Sequence, residues 1–135
     1  MNKHYISAAA ALGALAVLAG AFGAHALKQQ VNADTLHIYE TGVRYQFYHV
    51  FALLATGMLA RFYPGRALDV AGRCFIAGIL LFSGSLYLMV GIRIFHGYFP
   101  PIVGLLTPIG GVLLIAGWIS LFIGILRNKP LRNSP

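Results

Sequence analysis

The side chains best suited to chemistry are two histidines and the polar residues that lie between them in the sequence. His25 lies near the end of the first long apolar stretch, and His49 falls about one turn into the second. His37 and Glu40 lie between them at positions i and i+3, which share one face of a helix. Imidazole together with carboxylate suits a transition metal ion or a proton relay. The sequence therefore directs attention to the segment that joins the first two apolar stretches.

We predict that His25 and His49 meet at the outer end of the protein, with Glu40, Arg44 and Tyr45 completing a candidate polar site. The two histidines have matched predicted depth in helices that are adjacent in sequence. Three interpretations stay open: a metal site, which needs at least three converging ligands; a polar site for a small ligand, lipid headgroup or proton; and interfacial histidines that bond backbone carbonyls or tyrosine hydroxyls. Because the spacing matches no zinc signature, no metal and no cofactor is assigned.

Catalytic patterns of the ordinary kinds are absent from the sequence. Asp34, Glu40 and Asp69 are the only acidic residues, and Asp69 is expected on the opposite side of the membrane from the other two. There is no Ser-His-Asp set, glycine-rich phosphate loop or pair of carboxylates. No ionisable residue lies near the middle of an apolar stretch, where such residues mark ion pathways. The sequence thus argues against an acid–base enzyme, and no catalytic residue is assigned.

Four apolar stretches must position these residues. They span about residues 5–27, 45–62, 73–95 and 102–126, and 59% of the chain is hydrophobic. A helix needs about 20 mostly apolar residues to cross the ~30 Å hydrocarbon layer. We therefore predict a single domain, residues 1–135, that is an all-α membrane protein with four transmembrane helices in a compact bundle.

The segment before the second stretch alternates polar and apolar residues at helical spacing over residues 35–44. This pattern predicts a short amphipathic helix at the outer interface, which either stands apart or continues directly into the second span. Glu40 and Arg44 lie at i and i+4, the order that favours an ion pair on a helix surface. If exposed, such a pair contributes only ~0.3–0.5 kcal/mol.

Basic residues flank the predicted spans. Of the ten Lys and Arg residues, seven fall on the side that carries the N-terminus and three on the other side. Because cytoplasmic loops carry the excess of Lys and Arg, we expect a multi-pass protein with both termini in the cytoplasm. The net charge of +7 does not indicate nucleic acid as a partner, since no compact basic surface is available.

The first stretch has a competing interpretation as a cleaved signal peptide. Lys3 and Ala24-His25-Ala26 imitate the two ends of such a signal. The stretch is longer than a typical signal-peptide core and three further apolar stretches follow, so we expect an uncleaved helix.

Glycines recur every seven residues in three of the predicted helices. Small residues let two membrane helices approach closely, and a seven-residue interval keeps one seam facing its partner. We predict that the following glycines pack helix against helix: Gly13, Gly20, Gly84, Gly91, Gly110, Gly117 and Gly124.

Five short segments stand in order along the chain: AFGAHAL (21–27), TGVRYQ (41–46) with His49, LFSGSLY (81–87), TPIGG (107–111) and AGW (116–118). Together they resemble the bacterial family of small inner-membrane proteins called domain of unknown function 423, also UPF0382. They are similar, more distantly, to the transmembrane protein 256 family. The resemblance covers nearly the whole chain. It implies four membrane helices, an uncleaved first segment and a place in the bacterial plasma (inner) membrane, and it supplies no reaction.

Two classes of function follow from these features. One is a non-enzymatic membrane component that interacts with membrane lipid, with itself as a homo-oligomer, or with a larger membrane complex. The other is a small-solute or proton carrier or channel with a polar vestibule at the outer face. We favour the first class, because helices that carry close-packing glycines leave little room inside one protomer.

Overall fold

The computed structural model describes residues 1–127, and its long elements are all helices. Helix α1 spans Lys3–His25, α2 spans Ala33–Leu59, α3 spans Arg66–His96 and α4 spans Pro101–Arg127, with a short 3₁₀ turn at Leu27–Gln29. No strand occurs within these 127 residues. The prediction of an all-α protein with four long helices is confirmed.

Three of the helices are long and apolar enough to cross a membrane. They lie in the segments Lys3–Gln29, Arg66–His96 and Pro101–Arg127. Helix α2 does not meet the same standard of length and composition. The reason lies in its sequence: Asp34, Glu40 and Arg44 occupy the first part of α2, and the part after Arg44 still contains the polar residues Gln46 and His49.

The predicted amphipathic segment, residues 35–44, is the first part of α2 and continues into the second apolar stretch without a break. Asn32 caps the helix, since its side chain accepts a hydrogen bond of 2.9 Å from the backbone N–H of Thr35. His49 is therefore sixteen residues, or ~24 Å, from the start of α2. The sequence left two alternatives open, a separate amphipathic helix and one that continues directly into the second span, and the structure has the second.

Consecutive helices pack side by side in antiparallel pairs, α1 on α2, α2 on α3 and α3 on α4. At one end, which we call the amino-terminal end, the backbone N–H of Asn2 donates to the carbonyl of Gly57 over 2.9 Å. At the same end the Tyr5 hydroxyl donates to the carboxylate and the backbone carbonyl of Asp69, which joins α1 to α3. The 3₁₀ turn and the α3–α4 connection lie at the other end, which we call the opposite end.

Helices α3 and α4 approach most closely along a seam of glycines on α4. A Cβ atom at Gly117 would lie 2.7 Å from the ring of Phe75, closer than real Cβ contacts. Gly110 and Gly124 lie seven residues before and after Gly117. Gly110 lies against the backbone of Phe82, and Gly124 lies against the side chain of Leu68. Since the partners on α3 are also seven residues apart, the contact continues in register along both helices.

The other glycines of the seven-residue pattern have looser surroundings. A Cβ atom at Gly13 would lie 3.3 Å from Val50, and one at Gly20 would lie 3.6 Å from Val43. At Gly84 and Gly91 on α3, an added Cβ would meet no atom within 4 Å. These two glycines therefore face open space instead of a neighbouring helix of this chain. On α3 the glycine that packs closely is Gly78, since a Cβ atom added there would lie 2.5 Å from the side chain of Leu114.

Candidate functional site

The structure separates the two histidines that the sequence predicts to meet. His25 is exposed at the end of α1, whereas the side chain of His49 is only 7% exposed. The next residue, Val50, contacts α1 at Gly13, which is twelve residues or ~18 Å along α1 from His25. The two imidazoles lie at different depths because α2 starts well before the second apolar stretch. They do not form a shared site.

Glu40 and Arg44 stay at the opposite end, exposed on the surface of α2. They line a cleft of about 230 Å³ between α1 and α2, together with Gly20, Gly23, Ala24, Tyr39 and Val43. The ion pair expected between them is not formed: in the part of the chain that the structure describes, the one ion pair joins Arg73 to Asp69 at 2.8 Å. Both charges of the cleft are therefore free to meet a solute or a lipid headgroup.

Tyr45 and His49 turn away from that cleft and join an aromatic cluster between α2, α3 and α4. The ring of Tyr45 stacks on Phe82 with centroids 4.7 Å apart. The imidazole of His49 lies 5.9 Å from the ring of Phe75 and 6.2 Å from that of Trp118, between centroids. Phe75 and Trp118 are each nine residues, ~14 Å, from the ends of α3 and α4 at the amino-terminal end. His49 therefore lies deep within the helices.

The hydrogen bond of His49 defines its chemical state. Nδ1 lies 2.8 Å from the backbone carbonyl oxygen of Tyr45, one turn earlier on α2. Because a carbonyl oxygen can only accept, Nδ1 carries the proton and, in the neutral ring, Nε2 carries the lone pair. The neutral ring of His49 therefore offers one hydrogen-bond acceptor, and its neighbours Phe75 and Trp118 supply no second metal ligand.

A buried amide to which the sequence patterns assign no role lies at the centre of the fold. Gln46 is 4% exposed, and its Nε2 donates to the backbone carbonyl of Leu12 over 2.7 Å. Its side-chain oxygen accepts from the hydroxyl of Tyr87 over 2.8 Å. One amide thus bonds α2 to both α1 and α3. The signal available in the sequence was an uncharged polar residue inside an apolar stretch, three positions before His49.

Gln46 also lies against a cavity of about 300 Å³ on the side of the protein. We call this cavity the flank cleft; its lining residues are Leu12, Leu15, Ala19, Gln46, Ile79, Leu80, Gly84 and Tyr87. An amide has two N–H donors and accepts two hydrogen bonds, and Gln46 uses one of each within the protein. One donor and one acceptor position therefore remain for a group in the cleft.

The buried hydroxyls of Ser83 and Ser85 hold helices together. Ser83 donates to the carbonyl of Gly42 over 2.7 Å, and the hydroxyls of Ser85 and Thr107 lie 2.7 Å apart. Across residues 1–127, every fully buried side-chain nitrogen or oxygen has a hydrogen-bond partner. The bond of Ser83 connects α3 to α2, and the bond between Ser85 and Thr107 connects α3 to α4, so these hydroxyls form their hydrogen bonds within the protein.

A further cavity, of about 550 Å³, lies at the amino-terminal end. Lys3, His4 and Asp69 are among its lining residues, and the carboxylate of Asp69 is already bonded to Tyr5 and Arg73. Within the described residues no three His, Cys, Asp or Glu side chains converge to hold a metal ion. The charged groups of this end are therefore paired or dispersed.

Comparison with known proteins connects the chain to one group of membrane proteins. A family model described as "Protein of unknown function (DUF423)" matches residues 19–111. The chain is 39% identical to a UPF0382 membrane protein of Staphylococcus aureus, over 93% of this chain and 97% of the relative. It is 37% identical to the UPF0382 membrane protein YwdK of Bacillus subtilis, over 93% and 98% of the two chains. A UPF0382 membrane protein of Haemophilus influenzae is 36% identical, over 97% and 100%. No solved structure matches.

Proposed function

This chain belongs to the DUF423 family, whose curated relatives are named UPF0382 membrane proteins, and on that basis we propose that it is a non-enzymatic integral membrane component. In this proposal it acts through contacts with membrane lipid, with a second copy of itself or with a larger membrane complex. Its four helices form one compact bundle in the bacterial inner membrane.

The observation that carries the proposal is the internal use of buried polar groups. Gln46 is bonded to Leu12 and Tyr87, Ser83 to Gly42, and the buried polar atoms of residues 1–127 all have partners. A path for ions or polar solutes needs polar groups whose hydrogen bonds or coordination replace the hydration shell of the solute. Hydrogen bonds of these groups within the chain connect its helices, which supports a component over a conduit.

The proposal includes α2 as a fourth span. Helix α2 packs between α1 and α3 from the Asn2–Gly57 contact at one end to the opposite end, where the hydroxyl of Tyr39 donates to the carbonyl of Ala19. If α1 and α3 cross the membrane, the helix packed along both of them crosses it as well. The polar first part of α2 then lies toward the interface, where Glu40 and Arg44 are solvated.

We propose that the amino-terminal end faces the cytoplasm. Among the described residues, this end carries five of the basic side chains: Lys3, Arg61, Arg66, Arg73 and Arg127. Lys129 and Arg132, the other two of the seven basic residues expected on this side, lie outside the described residues. An excess of Lys and Arg marks cytoplasmic loops, so both termini are cytoplasmic in this proposal.

A second candidate, a carrier or channel, rests on the cleft at the opposite end. Its rim bears Glu40 and Arg44, which suits a polar vestibule. Tyr39 closes the inner side of this cleft, because its hydroxyl bonds to α1 and its ring lies 5.1 Å from that of Tyr87. Transport through this cleft requires that these contacts open.

The proposal is tested by purifying the full chain in mild detergent and identifying bound lipids and proteins by mass spectrometry. We expect a defined lipid, a stable oligomer or a partner protein to be retained through a second purification step. A homogeneous monomer that retains none of these would contradict the proposal.

A further inference from the structure

The flank cleft is open on one side and polar at its floor. Gln46 and Ile79, at the floor, are 4% and 3% exposed, whereas Leu15 and Leu80, at the mouth, are 55% and 59% exposed. The mouth lies between α1 and α3, two of the helices that are apolar enough to span a membrane. The cleft therefore opens sideways, toward the hydrocarbon of the bilayer.

Side-chain contacts between helices lie on either side of the cleft along the helix axes. Toward the amino-terminal end, the ring of Tyr5 packs against Gly72 and its hydroxyl bonds to Asp69. Toward the opposite end, the ring of Tyr87 lines the cleft and lies 5.1 Å from that of Tyr39 between centroids. Along its wall, Gly84 leaves open space where a side chain would project. The cleft thus has a defined length as well as a defined floor.

The floor lies at the depth where polar groups are most costly. Gln46 is thirteen residues, ~20 Å, from each end of α2. The hydrocarbon layer contains no water that could form hydrogen bonds with the remaining N–H and the remaining acceptor position of Gln46. A charged ligand group is disfavoured at this depth, whereas an uncharged group that both donates and accepts matches what the amide offers. A hydroxyl group has that property.

We propose that the flank cleft binds a membrane-dissolved long-chain alcohol. Its hydroxyl donates to the side-chain oxygen of Gln46 and accepts from Nε2, and its chain lies along Leu12, Leu15 and Leu80. The volume of about 300 Å³ is at the lower limit of small-ligand pockets, so it holds the hydroxyl and the first part of the chain. The proposal rests on the proposed function only in placing α1, α2 and α3 within the bilayer, and it adds the class of lipid.

Photolabelling in phosphatidylcholine liposomes tests the site. The probes are a long-chain alcohol that carries a diazirine near its hydroxyl and the matching methyl ether, which accepts hydrogen bonds but cannot donate. We expect the alcohol to label peptides that contain residues 12–19 or 79–87 about fivefold more than the ether, the effect of one lost hydrogen bond. Equal labelling by both probes would overturn the proposal.

Two variants of α3 separate the cleft from the rest of the helix. Gly84→Leu fills the cleft, whereas Gly91→Leu adds the same side chain to an equally open position that does not line it. Labelling by the alcohol should fall about tenfold in G84L, equivalent to ~1.4 kcal/mol, and stay unchanged in G91L. Labelling that is the same in both variants would overturn the proposal.

Competition on the unsubstituted protein gives an answer that does not depend on how a variant folds. Excess unlabelled long-chain alcohol should suppress the labelling, and the alkane of the same length should not. Equal suppression by both would show that the cleft does not recognise a hydroxyl and would overturn the proposal. Solute flux through the same liposomes would overturn the proposed function alone, since it leaves these labelling ratios unaffected.

Discussion

The hydroxyl of Tyr87 donates a 2.8 Å hydrogen bond to the side-chain oxygen of Gln46, and this bond joins α3 to α2 halfway along α2. The same amide donates to the carbonyl of Leu12, so one side chain connects three consecutive helices. In hydrocarbon, water does not compete for these bonds, but the separated helices also find other partners. Interhelical bonds of this kind therefore stabilise a membrane protein by ~0.6 kcal/mol on average.

Removing the Tyr87 hydroxyl should weaken the fold by a measurable amount. Tyr87→Phe removes the bond to Gln46 and keeps the ring, so we expect a loss of ~0.6–1.7 kcal/mol in the free energy of unfolding. Tyr48→Phe, at an exposed tyrosine of α2, is the matched control and should be neutral. The check is unfolding in mixed micelles with increasing denaturing detergent. Equal stability of the two variants would show that the bond adds nothing.

The close contact at Gly110 on α4 and the open space at Gly84 on α3 predict opposite effects for two Gly→Ala substitutions. At Gly110 the added methyl meets the backbone of Phe82, which cannot rotate away, so Gly110→Ala should destabilise by ~1–3 kcal/mol. At Gly84 it meets no atom within 4 Å, and the gain in helix propensity should stabilise by ~0.5–1 kcal/mol. Thermal unfolding in detergent measures both. Gly110→Ala unfolding at the same temperature as Gly84→Ala would contradict the seam.

The position of His49 predicts a fluorescence change. Trp118 is the only tryptophan of the chain, and its ring lies 6.2 Å from the His49 imidazole between centroids. His49→Phe replaces a polar neighbour by an apolar ring, so the Trp118 emission should shift to shorter wavelength. His25→Phe, at the exposed end of α1, should leave the emission unchanged. A shift produced by His25→Phe and not by His49→Phe would contradict this placement.

The topology is checked by reporter fusions on the two sides of α2. A fusion after Lys28 follows one span, and a fusion after Arg66 follows two. We expect the first reporter outside and the second in the cytoplasm, because α2 crosses the membrane and the basic residues hold the amino-terminal end inside. Both reporters on the same side would show that α2 lies along the surface.

Hydropathy was sufficient to predict four long helices, since each apolar stretch lies largely within one long helix. The depth of His49 could not be predicted in this way. Hydropathy detects where charged residues stop, at Tyr45, whereas the helix begins where Asn32 caps it. An amphipathic segment joined to an apolar one remains a single helix when no residue breaks the hydrogen bonds between them.

The side chains that face the interior were harder to predict than the helices. The seven-residue repeat on α4 lies against α3, but the same repeat at Gly84 and Gly91 faces open space, because a repeat defines a face and not the neighbour that covers it. Gln46 carries no charge, and its place at the end of the TGVRYQ segment (41–46) assigns it no role. Its role depends on Leu12 and Tyr87, which are distant in sequence and meet it only in the folded protein.

Flux through liposomes tests most directly whether this protein is a membrane component or a conduit. The purified full chain is reconstituted, and the flux of protons, ions and small neutral solutes is compared with that of protein-free liposomes. Because the buried polar groups of the described residues are bonded within the protein, we predict equal flux with and without the protein. The variants His25→Ala and His49→Ala should behave identically. Strong protein-dependent flux that is lost on substitution of His25 or His49 would contradict the proposed function.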